Sequence, residues 1–512
     1  MRIAATAVSL IVLALACSTH AEPLPRPDRG GVPESKLYDY GTMGPPATPA
    51  IVAAADAAVK TPLPAGPFRA DWGSIEKNYT APVWLEDAKF GIFMHWGIYS
   101  AAAHHNEWYE KHMYAADADW HAQHFGPQEK VGYKDLIPLF TASHWDPDAW
   151  AALFRQAGAR FVIPTAEHHD NFALWDSQVT PFNAMKMGPH RDLIGDLAAA
   201  VRRQGLKFGV SNHGMENFTF VNPRPDIDER LKAVHADLYD PHWASFYNVA
   251  DRSPAAMQAF LTDWTNRNIE LIDKYQPDLL WFDNGVNLRV LDPLKLRVAA
   301  YYYDRALQWH KAVTISTKFV AYAPSNDDTH QIGSVIDFEK TGKRSPAGIR
   351  PGPWMVDDTI GSTWGYTEGM TVSDAGGIIA KLVDTVSKGG TYLLNISPMA
   401  DGTIPEAQVH TLLGIGRWLD RNGEAIYGTR PWSQFGDGRW RFTTKGDALY
   451  AIALGWPDGE AVITAPVGQV KSVEMLGGGK VAFRQDAAGL HLSLPDGKPD
   501  ESALALRIVR AQ

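Results

Sequence analysis

Only one cysteine, Cys17, occurs in the 512 residues, so no internal disulfide can form. The chain also lacks a Lys/Arg-rich block and carries a net charge of -10. Nucleic acid is thereby excluded as the main partner, because phosphate binding needs concentrated positive charge. Beyond the N-terminus no uninterrupted apolar run reaches the ~18 residues of a membrane span. Apolar residues are not scarce, and 45% hydrophobic with 21% charged content excludes a chain disordered throughout. Aromatics are abundant. The 18 tryptophans and 18 tyrosines suit stacking on sugar faces, although most must fill cores.

Arg2 and the apolar run from Ile3 to Ala16, closed by Thr19-His20-Ala21, read as a secretory signal cleaved before Glu22. Export (periplasmic or secreted) is the expectation, and the mature chain then holds no thiol. Lipid anchoring through Cys17, behind an imperfect Ala14-Leu15-Ala16, is the competing reading. Residues 22–67 are rich in proline and alanine and read as a tether or loosely packed lead-in.

From Trp72 onward short apolar runs alternate with amphipathic segments, the pattern of a parallel sheet with helical crossovers. Seven strands can be counted: Lys89 to Met94, Arg160 to Ala166, Lys207 to Val210, Leu279 to Phe282, Val313 to Ser316, Val335 to Phe338 and Thr391 to Asn395. An eighth is expected near Trp432 or in the irregular 319–365 region. The economical fold class is α/β, a (β/α)8-like TIM barrel over 68–430. After Pro431 the helical period stops, and seven short strands between Arg439 and Val509 predict a small C-terminal antiparallel β-sandwich over 431–512.

The chemistry is concentrated at strand ends. Leu279-Leu280-Trp281-Phe282 runs straight into Asp283, and such carboxyl ends line the mouth of an α/β barrel. A turn-capping aspartate is the plain alternative. His95, Glu107-Trp108-Tyr109, His168-His169-Asp170 and His213 follow other strands in the same way. Each is explicable as packing, but their repetition points to one rim. Zinc is one use for such residues, yet neither His-x-His nor His-Glu-x-x-His is present, and adjacent His168 and His169 would point opposite ways in a strand. Binding of sugar hydroxyls by imidazole, indole N–H and carboxylate is the other.

Lys89 to Gly97 with Glu107-Trp108-Tyr109, Glu167-His168-His169-Asp170 through Trp175, Trp281-Phe282-Asp283, and Leu393 through Gly428 together resemble glycoside hydrolase family 29, the α-L-fucosidases. The resemblance spans roughly 70–435. It implies a retaining double displacement on a fucosylated glycan, with no cofactor and no metal. By it Asp283 is the nucleophile, and His95, Glu107, Trp108, His168, His169 and Trp281 hold the fucose. His213 joins them from its strand end.

Some members carry the general acid/base as a glutamate directly after the tryptophan that corresponds to Trp354, where this chain has Met355. A second carboxyl is still required, ~5 to 5.5 Å from the nucleophile. Glu339 is the candidate, with Asp337, Asp357 and Asp358 in reserve; a surface pair with Lys340 or Lys343 is its ordinary explanation. Two other classes stay open here: a fucose-binding protein that has lost its acid, and a metal-dependent barrel hydrolase.

Overall fold

The computed structural model describes residues 47–511 apart from 319–320, 325–330, 343–344, 458–459 and 496–501. The signal segment, Cys17 and Lys343 lie outside the described residues. Eight parallel strands close into a barrel in chain order: β1 (Phe90–Met94), β2 (Phe161–Glu167), β3 (Lys207–Asn212), β4 (Leu279–Phe282), β5 (Thr314–Lys318), β6 (Val335–Glu339), β7 (Trp354–Thr359) and β8 (Thr391–Ile396). The pairing of β8 with β1, Phe93 opposite Asn395, shuts the ring. The strand left unplaced by the sequence is β7, inside the irregular region. Gly91 on β1 leaves the room that the Phe161 ring fills, since a Cβ there would lie 2.3 Å from it.

Four of the six crossover helices start at a capping side chain, Asp146, Asp192, Ser253 or Asp374. Asp146 accepts from the Ala149 N–H at 2.9 Å and Pro147 takes the first helical position of Pro147–Gln156. The helices Leu193–Arg203, Pro254–Tyr275, Asp292–Gln308, Ala375–Ser387 and Glu406–Asn422 complete the outer layer. One correction concerns the lead-in. Pro49–Ala58 is a helix, not a loose tether: Val52 and Ala55 are buried, and Arg297 pairs with Asp56. Alanine-rich composition hid a face that gains its burial only against the barrel's own helices.

After the barrel come eight antiparallel strands, β9 (Arg430–Asp437), β10 (Trp440–Lys445), β11 (Ala448–Leu454), β12 (Ala461–Ile463), β13 (Val470–Met475), β14 (Gly479–Asp486), β15 (Gly489–Ser493) and β16 (Ala503–Arg510), in the order β12-β15-β14-β13-β16-β11-β10-β9. The sheet curls so that its two ends meet, the Trp440 indole N–H donating to the Val462 carbonyl at 2.8 Å, around a core of its own. Seven of these strands are predicted by the sequence and β9 is not. Pro431 and Gly436 disguise it, and both are tolerated because β9 is an edge strand. The sandwich-like unit braces the barrel: Trp418 donates to the Ala503 carbonyl, and Arg441 meets Asp384 at 2.7 Å.

Candidate active site

Residues two apart on a strand share a face. Phe93, Trp281, Val335, Met355 and Leu393 pack together inside the barrel. Two residues further along, at the carboxyl ends, the same faces carry His95, Asp283, Asp337, Asp357 and Asn395. Lys318 on β5 and His213 just after β3 join them. Met355 sits one layer too deep to reach the mouth, so the chain's departure from the tryptophan-glutamate pattern falls at a core position.

Asp283 is 6% exposed and faces the imidazoles. His213 Nδ1 lies 2.9 Å from its Oδ2 and His169 Nε2 3.6 Å, while Lys318 Nζ is 3.2 Å from Oδ1. Burial works to raise this carboxyl, but the ammonium and the two histidines win and hold it well below the ordinary range. Burial drives the other way at the histidines. His95 and His168 are pushed well below their usual value and His169 to about 3, so these rings are neutral. His95 Nδ1 meets Asn395 Oδ1 at 2.7 Å, and His169 Nδ1 meets the His213 carbonyl at 2.9 Å.

The expectation that His168 and His169 diverge is overturned. The strand ends at Glu167 after a register shift, so alternation no longer applies; their rings lie 5.0 and 5.7 Å from that of His213. Glu167 turns outward to Arg267 at 2.9 Å.

Glu107 reaches the site from the loop after β1. Its carboxylate accepts from the Trp364 and Gly365 backbone N–H groups at 3.2 Å, joining that loop to the one after β7. Trp108 stands edge-on to His169 at 6.2 Å. Trp364, in the loop after β7, covers His95 at 5.2 Å and the Lys318 ammonium at 5.3 Å. Trp281 is not on the rim. It is fully buried under His213, and its indole N–H donates to Asp337 at 2.8 Å.

Lys318 sorts the acids. Glu339 Oε2 and Asp357 Oδ2 each lie 3.7 Å from the same Nζ that meets Asp283. Asp337 is occupied by Trp281 and by the Asp357 N–H. Burial lifts it to about 6 even so, and burial with the Asp337 charge lifts Asp357 well above the ordinary range. Asp358 faces outward to Lys381 at 3.0 Å and leaves the candidate set.

Two site residues escaped the sequence reading. Lys318 ends β5 two residues beyond the predicted end, and continuing the alternation from Thr314 and Ser316 finds it. Glu216, in the turn after β3, offered no signal. Its Oε2 is 3.7 Å from His169 Nδ1, and burial, then the Asp283 charge, push its carboxyl up to about 8 against Lys318 and Lys111. The folded chain thus keeps a proton there from 4.5 to about 8 that the unfolded chain has released, so stability falls as pH rises through that window. Glu216→Gln, a neutral mimic, is expected to melt with the wild type near pH 4.5 and several degrees above it near pH 8. Calorimetry at both pH values checks this; the same shift at each would refute it.

His95, His168 and His213 bring donor atoms within 4.8 Å of one another, as do His169, His213 and Asp283. The Lys318 ammonium already faces Asp283, however, and a dication added there meets direct repulsion in a buried site.

Comparison with known proteins agrees over both halves. The Alpha-L-fucosidase family model matches residues 56–424, and that of the Alpha-L-fucosidase C-terminal domain matches 437–509. The tissue alpha-L-fucosidase of Rattus norvegicus is 31% identical over 465 residues, covering 86% of this chain and 93% of that protein. The Homo sapiens tissue enzyme is 30% identical over 471 residues, with 86% and 91% covered. The crystal structure of Thermotoga maritima alpha-fucosidase superposes with a TM-score of 0.70 at 32% identity, covering 86% of this chain and all of that one. With a family match over most of its length, the same barrel and sandwich, and an acid-imidazole site at the strand ends, the chain belongs to the α-L-fucosidases, glycoside hydrolase family 29, and is a glycoside hydrolase.

Proposed function

We propose that this is an exported, retaining α-L-fucosidase that releases terminal L-fucose from oligosaccharides or glycoconjugates. One observation carries the retaining reading: Asp283 and Glu339 both approach a single ammonium, which bounds their oxygens at about 7 Å apart, below most of the ~6.5 to 9.5 Å range of inverting pairs. Asp283, held anionic, attacks the anomeric carbon while Glu339 gives its proton to the departing oxygen. Glu339 then takes a proton from water as that water displaces Asp283 from the sugar. His95, His168, His169, His213, Glu107 and Trp108 surround the ring position. Among the described residues His168 Nδ1 and Glu216 Oε2 have no hydrogen-bond partner, which suits sugar hydroxyls. Trp281 supports His213 from beneath. Export rests on Arg2 and the apolar Ile3 to Ala16 run.

Proton NMR of an aryl α-L-fucoside digest tests the stereochemistry directly. The α-anomer of fucose is expected first, with the β-anomer growing in only by mutarotation; β-fucose first would replace double displacement by a single inverting step.

A further inference from the structure

Residues 104–124 of the loop after β1 carry five histidines: His104, His105, His112, His121 and His124. His121 is engaged on both ring nitrogens, by the Tyr109 hydroxyl and the Val131 carbonyl at 2.8 Å each. His124 is tied to the Trp120 carbonyl at 2.8 Å. The other three gather on Asp117, away from the barrel imidazoles. Asp117 precedes the helix Ala118–His124 but makes no capping bond with its side chain. Its Oδ2 turns instead to His105 Nδ1 at 2.7 Å, with His104 Nε2 at 3.8 Å. His112 stacks on His105 with centroids 3.8 Å apart, and its Nε2 is buried with no hydrogen-bond partner among the described residues.

We propose that His105, His112 and Asp117 bind a divalent transition-metal ion of the zinc class. One donor atom from each lies within 4.8 Å of the others. Bonds of ~2.0 to 2.2 Å in a tetrahedron set donors roughly 3.3 Å apart. The donors must draw closer, and because the His105 and His112 rings lie stacked with only 12° between their planes, one ring must rotate out of the stack to meet the ion; the side chain of His105, 38% exposed, has the room to do so. Two imidazoles and a carboxylate are an ordinary zinc donor set, and His104 or water completes the fourth position. The ion takes no part in the chemistry. His105 and His112 flank Glu107 and Trp108 in the chain, so the metal pins on both sides the segment that brings those two residues to the site.

The test uses the full chain, stripped with a chelator, reloaded with Zn2+ and dialysed to equilibrium. One Zn2+ per chain is expected to stay with the wild type and to be lost from the His105→Ala/His112→Ala double variant and from the near-isosteric Asp117→Asn, with circular dichroism checking that each is folded. Co2+ in place of Zn2+ should give visible d–d absorption in the wild type alone, and hydrogen exchange over 104–117 should slow when metal is added. The proposal is overturned if the wild type retains no metal. It is equally overturned if the double variant retains as much, which puts the ion elsewhere, on one of the two histidine groups at the barrel mouth.

Discussion

Asp283→Gly is expected to hydrolyse an aryl α-L-fucoside on the order of 10^4-fold more slowly than the wild type, or worse, while melting within a few degrees of it. The size of the loss follows from the role. A nucleophile that forms a bond to the anomeric carbon contributes to the transition state itself, and its removal lowers kcat and kcat/KM together. The survival of the fold follows from the surroundings. Asp283 closes β4 at the mouth, and no interior packing depends on it. Lys318, left without it, still has Glu339 and Asp357 at 3.7 Å. Asp283→Asn separates charge from shape, because an amide keeps an acceptor for His213 yet cannot attack, so its activity should be as low as that of the glycine variant. Steady-state rates and thermal melts of both variants check this. Near wild-type turnover in either would remove Asp283 from the chemistry and return it to a turn-capping role.

Much of this enzyme is legible in its sequence, for a physical reason. Strands of a closed parallel barrel are buried on both faces, so they stand out as apolar runs, and a histidine or aspartate that ends such a run stands out with them. His95, His168, His169, His213 and Asp283 are found in this way. β7 is hidden because Asp357-Asp358 looks like loop behind Pro351-Gly352-Pro353; one carboxyl in fact points into the barrel and the other out to Lys381. Glu216 and the burial of Pro49–Ala58 depend on partners distant in the chain, and no local pattern announces them. The depth of Trp281 is hidden for a related reason. It shares the inward face with Asp283, but it lies one layer deeper in the barrel, where its indole bonds to Asp337.

The acid/base is the position where local pattern helped least and packing helps most. Glu339→Gln is expected to slow an alkyl or glycosyl fucoside by about 10^2- to 10^4-fold, the span of general acid catalysis. An activated aryl fucoside should lose little in the first step, because its leaving group departs without a proton. Deglycosylation then limits that substrate, since water lacks its base; azide, which needs none, attacks the anomeric carbon of the β-linked glycosyl-enzyme, expels the Asp283 carboxylate and should restore turnover with the α-configured fucosyl azide as product. Asp357→Asn provides the contrast. Asp357 is fully buried, lifted by its own burial and the Asp337 charge, and its loss should weaken both substrates alike without azide rescue. Glu216→Gln should show no leaving-group dependence, because its carboxyl faces His169 and is already protonated near neutral pH. If the leaving-group dependence and the azide product appear in Asp357→Asn and not in Glu339→Gln, the proton donor is the acid on β7, and Glu339 serves only to balance Lys318.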